Sequence, residues 1–266
     1  MPEVEPGLIV LFDLDLTLLE IPDDRNIRGR AIDRATGVSG VLDLIDDRGR
    51  TDRWLVDEIG RRGVATSNGL WDRYEAAYTA ELGAALTLLP SSVLPGAAEL
   101  LTALRGTATT VGVSTGNLRA NAITKLTHAG LAPFFDPLLG GFGDLHADRA
   151  DIVRMGAEAC RHVEGCRLVV VGDTIYDVRA ALDVGAVPVA VASGHASRQD
   201  LQDAGATVVL DDLVDTAAAL AAIHTLISCT QFVYTAHYEE HHLQCGRSED
   251  RGRPCEGSAR PLNVER

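Results

Sequence analysis

Leu8-Ile9-Val10-Leu11-Phe12-Asp13-Leu14-Asp15-Leu16-Thr17 is an apolar run that ends in two carboxylates and a hydroxyl. Its first five residues, with no polar alternation, read as a parallel strand buried on both faces. Asp13 and Asp15 are two apart, so on a strand they project to the same side. Two like charges there repel unless a cation sits between them or one is protonated. A lone Asp-x-Asp at a strand end is ordinarily a solvated Asx turn, so the reading turns on what the rest of the chain places beside it.

The same theme returns twice downstream. Arg167-Leu168-Val169-Val170-Val171-Gly172-Asp173 is a second apolar run ending in an acid, with Asp177 one turn up a helix expected over Ile175 to Val184. Gly172 permits close approach of the backbone. Thr109 to Ser114 reads as a strand ending at Thr115-Gly116-Asn117, where Asn117 is the expected N-cap of a helix from Leu118 to Ala129 that Gly130 terminates. Thr115-Gly116 reads either as a plain strand-to-helix turn or as an anion cradle made of a hydroxyl and free N–H groups at a helix N-terminus.

Phe134-Phe135 and Leu138-Leu139 mark a short strand ahead of the glycine-rich stretch 140–143. Asp148 is placed to cap a helix from Arg149 to about Val163, with Asp151 in a box-like position. Arg149 then stands in the first turn, where the helix dipole disfavours a cation, and that points to an anionic neighbour. Lys125 is the only lysine, so a fixed cation beside a phosphate is expected to be an arginine. Further strands at Val187 to Ala192 and Ala206 to Leu210 alternate with helices at Arg198 to Ala204 and Leu213 to Ile227. That alternation means a parallel sheet with right-handed crossovers, which binds ligands at the carboxyl ends of its strands.

Between the first two strands, Ile27 to Leu89 shows helical periodicity and no convincing strand, including the stripe Trp71, Tyr74, Tyr78 and Leu82. Large rings at that spacing usually face a core. The insert follows the acidic strand end directly, so it is placed to act as a lid. Residues 228–266 lack a period and are poor in aliphatics, which predicts a disordered tail. His237, His241, His242 and Cys245 have zinc-compatible spacing there, but Cys255 has no obvious partner and a metal site is not the expected reading.

The 266 residues are 46% apolar, enough for a large domain with a smaller inserted one. A net charge of −14 argues against nucleic acid or an anionic membrane as partner. An acidic protein that handles an anionic substrate must concentrate positive charge locally, through a metal ion, an Arg or helix N-termini. No stretch approaches membrane-span length, Met1 to Pro6 carries no basic apolar leader, and five irregularly placed Cys make no disulfide framework, so a reduced cytoplasmic protein is expected. Nothing in the sequence bears on oligomeric state.

Acids or hydroxyls at three strand ends in one α/β pattern are what make the chain resemble the haloacid dehalogenase superfamily of phosphohydrolases, over about residues 8 to 212. Four motifs match in order: Asp13-Leu14-Asp15-Leu16-Thr17-Leu18; Thr115-Gly116-Asn117; Arg149, where the family most often has Lys; and Gly172-Asp173-Thr174-Ile175-Tyr176-Asp177. The resemblance implies a Rossmann-like three-layer α/β/α core from residues 1–19 and 92–227. It also implies a helical cap of the C1 type inserted at 20–91, as in phosphoglycolate phosphatases and related small-molecule phosphatases.

The resemblance further implies roles. Asp13 would be the nucleophile that forms an aspartyl-phosphate, and Asp15 the acid that protonates the leaving alcohol and then deprotonates water. Mg²⁺ would be held by Asp13, the backbone carbonyl of Asp15 and Asp173, with Asp177 beside them. Thr115, Gly116, Asn117 and Arg149 would bind the phosphoryl oxygens. Dehalogenases proper lack the second acid, because a halide leaves without a proton, and phosphonate-cleaving members use a cap Lys that is missing here. The expected activity is therefore Mg²⁺-dependent hydrolysis of a small phosphorylated metabolite, phosphoglycolate-like or a sugar phosphate. A phosphomutase shares Asp13 and Asp15 but needs a cap that keeps water out. A non-enzymatic receiver-like signalling module is too short and has no insert after its first strand.

Overall fold

A computed structural model describes residues 7–65, 68–90, 92–136, 139–160 and 167–225. The expectations for Leu138, for the ends of two predicted helices and for the 228–266 tail with its His and Cys residues lie outside these.

In chain order the elements are β1 (Leu8–Phe12), β2 (Leu19–Glu20), α1 (Asp24–Thr36), α2 (Asp52–Arg61), α3 (Leu70–Leu86), β3 (Ser92–Val93), α4 (Ala97–Arg105), β4 (Thr109–Thr115) and α5 (Arg119–His128). They continue with β5 (Gly140–Phe142), α6 (Arg149–Ala159), β6 (Arg167–Gly172), α7 (Ile175–Asp183), β7 (Val187–Val191), α8 (Arg198–Asp203), β8 (Val208–Leu210) and α9 (Thr216–Thr225). Six strands pair in parallel in the order β5-β4-β1-β6-β7-β8. Counted along this sheet alone the order is 3-2-1-4-5-6, the doubly wound arrangement.

All five residues of β1 are buried, because both faces of the sheet are covered. Val10 and Phe12 pack on one side with Leu100, Leu104 and Ile223 of α4 and α9. Ile9 and Leu11 pack on the other with Val153 of α6 and Ala180 of α7. The period-two alternation of one strand thus holds three layers together. Register aligns Phe12 with Val113 and Val171, so β1, β4 and β6 end side by side.

The glycine-rich stretch differs from expectation. Ala132–Phe134 is a 3-10 turn rather than a strand, and Gly140–Phe142 is the strand β5 itself. Glycine is poor strand material, but a Cβ on Gly141 would lie 1.8 Å from the Ile152 carbonyl oxygen. Close approach of α6 to bare backbone overrides propensity here.

The segment between β1 and β4 carries α1, a 3-10 turn at Leu42–Leu44, α2 and α3; β2 and β3 pair antiparallel where the chain leaves and returns. Tyr74, Tyr78 and Leu82 are fully buried in the same cluster as Ile27, Ala31 and Ile32 of α1, as expected of a packing stripe. The helices dock on the strand ends through backbone: Asp52 N donates to Gly116 O and Arg53 N to Gly143 O, each at 2.8 Å. Among the described residues no helix is long and apolar enough to cross a membrane.

Candidate active site

Asp13 and Asp15 do not share a strand face. The strand stops at Phe12, Asp13 N donates to Val171 O at 2.9 Å, and the chain then turns through Leu16 at φ 60°. The expected repulsion is met by a different cation on each carboxylate, Arg149 on Asp13 and Lys125 on Asp15.

Asp13 lies with Asp173 and Asp177, all three buried, with one oxygen from each within 4.8 Å of the others. β1 delivers the first, β6 the second and the first turn of α7 the third. Thr17 Oγ1 donates to Asp173 Oδ1 at 3.2 Å as the chain returns after the turn. Asp177 closes a capping box with Thr174, its Oδ2 accepting from Thr174 N and Oγ1. A Cβ on Gly172 would sit 2.4 Å from the Asp177 carboxyl carbon, so the bare residue makes room for that side chain. Burial pushes Asp13 up to about 7, against the pull of Arg149 and with help from Asp177 and Asp15. Asp173 is driven well above the carboxylate range by burial, then by Asp13 and Asp177. Three buried carboxylates with one guanidinium among them form an oxygen donor set that fits a hard divalent cation.

That guanidinium is Arg149. Asp148 caps α6 by accepting from Ala150 N at 2.8 Å, whereas Asp151 turns to Arg154 rather than closing a box. Arg149 is buried; its Nη2 donates to Asp13 Oδ1 at 2.8 Å and also to Asp177, and its Nε donates to Asp177 Oδ1 at 2.9 Å. Burial alone would lower its pKa, but Asp177 and Asp13 raise it above the usual value and keep it charged. Its cost at a helix N-terminus is offset by these two carboxylates.

Thr115, at the end of β4, is fully buried. Asn117 is not the N-cap of α5: that position falls to Leu118, which offers no side-chain bond. The Asn117 amide instead donates to Thr115 Oγ1 at 2.8 Å and Asp15 Oδ2 at 2.6 Å, and Leu118 N donates to Asp52 Oδ2 at 2.8 Å. Gly143 braces the loop, its N donating to Asn117 O at 2.8 Å; a Cβ there would stand 1.9 Å from Gly116 O. Gly143→Ala is therefore expected to lower stability by about 1–3 kcal/mol in urea melts by overpacking. By shifting the loop it should also slow turnover on the order of 10²-fold.

Asp15 is held by a residue to which the sequence pattern assigns no role. Lys125 is completely buried, its Nζ 2.9 Å from both Asp15 oxygens, 3.0 Å from Asp24 Oδ1 and 3.0 Å from Asn117 Oδ1. Burial would depress its pKa, but Asp15 and Asp24 reverse that and raise it well above the usual lysine value. A signal was present: on α5 Ala122, Lys125 and Leu126 share the buried stripe, where a lysine belongs only if paired. Asp24 and Asp52 also join the site unannounced, and Thr17, present in the first motif without a role, joins it through Asp173. Asp13, Asp15, Thr115, Arg149 and Asp173 all line one cavity of about 720 Å³, which the loop before α2 also lines.

The model of the haloacid dehalogenase-like hydrolase family matches residues 9–185. The chain is 27% identical over 244 residues to a probable phosphatase, IndB, of Dickeya dadantii, covering 83% of this chain and 96% of that protein. It is 30% identical over 194 residues to a phosphoglycolate phosphatase of Synechococcus elongatus, covering 72% and 87%. Among solved structures, a hydrolase from Pseudomonas syringae superposes with a TM-score of 0.63 at 21% identity, over 80% of this chain and 97% of that one, which is a likeness of fold.

Proposed function

Since the chain belongs to the haloacid dehalogenase-like hydrolase family, we propose that it hydrolyses the phosphomonoester of a small metabolite through an aspartyl-phosphate on Asp13, with Mg²⁺ bound. The observation that carries this reading is the meeting of Asp13 with Arg149, Asp173 and Asp177, drawn from three motifs of which the first lies more than a hundred residues from the other two, in one buried cluster. In this reading Mg²⁺ is held by Asp13, the main-chain carbonyl of Asp15 and Asp173, with Asp177 beside them; it neutralises the site's charge and polarises a phosphoryl oxygen.

The chain's own groups supply the remainder. Asp13 attacks phosphorus as the ester oxygen departs, and Asp15 gives that oxygen its proton. Water then attacks the acyl phosphate while Asp15 takes its proton, which frees phosphate and restores the Asp13 carboxylate. Thr115 and the N–H groups of Gly116 and Asn117, with Arg149, hold the phosphoryl oxygens. Asp177, fixed by Thr174 and Arg149, positions the arginine. Residues 20–91 serve as the cap and residues 1–19 with 92–227 as the core, the protein working in the cytoplasm.

The test is hydrolysis of an aryl phosphate with and without Mg²⁺, alongside thermal melts. Turnover should vanish in chelator and return with Mg²⁺. Binding at a hundredfold excess over Kd adds about 2.7 kcal/mol by linkage, so the melting temperature should rise roughly 5–10 °C. Turnover in chelator equal to that in Mg²⁺ would overturn the metal assignment. Conversion of a sugar monophosphate to its isomer without free phosphate, followed by NMR, would replace the phosphatase with a mutase.

A further inference from the structure

Among the arginines that line the cavity, most are already matched. Arg25 and Arg28 pair with Asp47, Arg48 pairs with Asp46, and Arg149 takes Asp13 and Asp177. Arg179 has no carboxylate partner among the described residues, but it is exposed on α7. Arg50 is different. Its guanidinium is half-buried, lies against the rings of Trp54 at 4.5 Å and Tyr176 at 4.3 Å, and forms no ion pair among the described residues. Its Nε is fully buried with no hydrogen-bond partner.

The loop that carries Arg50 is fixed to the reaction centre. Arg50 N donates to Asp47 O, and the Arg50 carbonyl oxygen would touch a Cβ on Gly116 at 2.5 Å. Gly49, at φ +66°, rests on Tyr176, whose ring would meet a Cβ there at 2.5 Å. Tyr176 itself stands between Asp173 and Asp177 in sequence. Arg50 is thus a pre-placed cation next to the phosphate cradle, with ring contacts on its faces. A guanidinium bonds through its in-plane edge, and the acceptors that match two parallel N–H groups are a phosphate and a carboxylate. In the phosphatase reading the phosphoryl group of a monoester is already taken by Thr115 and Arg149, which leaves the carboxylate for Arg50. Acidic groups around the cavity, Glu20, Asp23 and Asp200 among them, would repel such an anion unless a cation met it.

We propose that Arg50 reads a carboxylate on the leaving group, so that the substrate is a short phosphorylated carboxylic acid rather than a neutral sugar phosphate. This rests on the phosphatase reading above and goes beyond it by naming the substrate class. The measured quantity is the ratio of kcat/KM for phosphoglycolate to that for ethyl phosphate, which lacks the carboxylate. Wild type should give a ratio of about 10 to 100. Arg50→Gln should bring it close to one, chiefly through KM, and Arg50→Lys should keep part of it.

A wild-type ratio near one overturns the proposal. So does an Arg50→Gln variant that slows both esters alike and keeps the ratio, since Arg50 would then only brace the loop. A sugar bisphosphate preferred over phosphoglycolate would overturn the choice of carboxylate. Calorimetry on Mg²⁺-loaded Asp13→Asn separates this from the phosphatase reading. If wild type hydrolyses no ester, tighter binding of phosphoglycolate than of ethyl phosphate, lost on adding Arg50→Gln, still supports Arg50; equal binding rejects it.

Discussion

Asp13→Asn is expected to abolish aryl phosphate turnover, by on the order of 10⁴-fold or more, because an amide cannot form the acyl phosphate. The protein should remain folded. Asparagine is close to isosteric, Arg149 keeps Asp177, and one of three crowded carboxylates is removed. In the metal-free protein Asp13 binds its proton more tightly when folded, at about 7 against 3.8, so its ionised form weakens the fold as pH rises through 7. Asn lacks that penalty. At pH 8 in chelator the variant should therefore melt at or above the wild-type temperature, which separates lost chemistry from lost structure. Wild-type turnover in a folded Asp13→Asn would reject Asp13 as nucleophile.

Lys125→Met should produce the largest loss of stability of any single change around the site. The substitution leaves Asp15 and Asp24 facing each other across an apolar side chain. Removing one member of a buried charge network costs about 3–5 kcal/mol, equivalent to roughly 10 °C in melting temperature. The pH dependence identifies the cause. In wild type Asp24 is held below the carboxylate range: burial would raise it, but Lys125 and Arg28 prevail. A depressed folded pKa contributes stability above the unfolded value, lost as pH falls through the folded one. Without Lys125, burial dominates and Asp24 is pushed the other way, so its contribution fails as pH rises. The gap between variant and wild type should narrow between pH 7 and pH 5; a constant gap would assign the loss to packing alone.

The sheet could be read from the sequence because its signals are local. Leu8–Phe12 and Arg167–Gly172 are unbroken apolar runs, and Asp148 announces the start of α6 within two residues of its hydrogen bond. The motif residues converge as the α/β pattern requires, since parallel strands ending in register deliver Asp13, Thr115 and Asp173 to one edge. What stayed hidden depends on partners far along the chain. Asn117 is a sound N-cap by local preference, yet Asp15, 102 residues away, claims its amide. Lys125 reaches Asp15 across 110 residues. β5 escaped because its glycines answer to α6 rather than to strand propensity, and Arg50 gives no sign in sequence that two rings will lie against it.

The amide at the start of α5 is capped by Asp52, which is borrowed from a helix inserted some sixty residues earlier, and Asp24 of the same insert completes the shell of Lys125. Exchanging inserts between relatives to change their substrates is therefore not a neutral cut and paste. A chimera that imports a foreign insert without an acid at both positions would leave Leu118 N and Lys125 short of acceptors, and would lose folding before its new specificity could be measured. Carrying Asp24 and Asp52 across with the graft defines the smallest transferable unit.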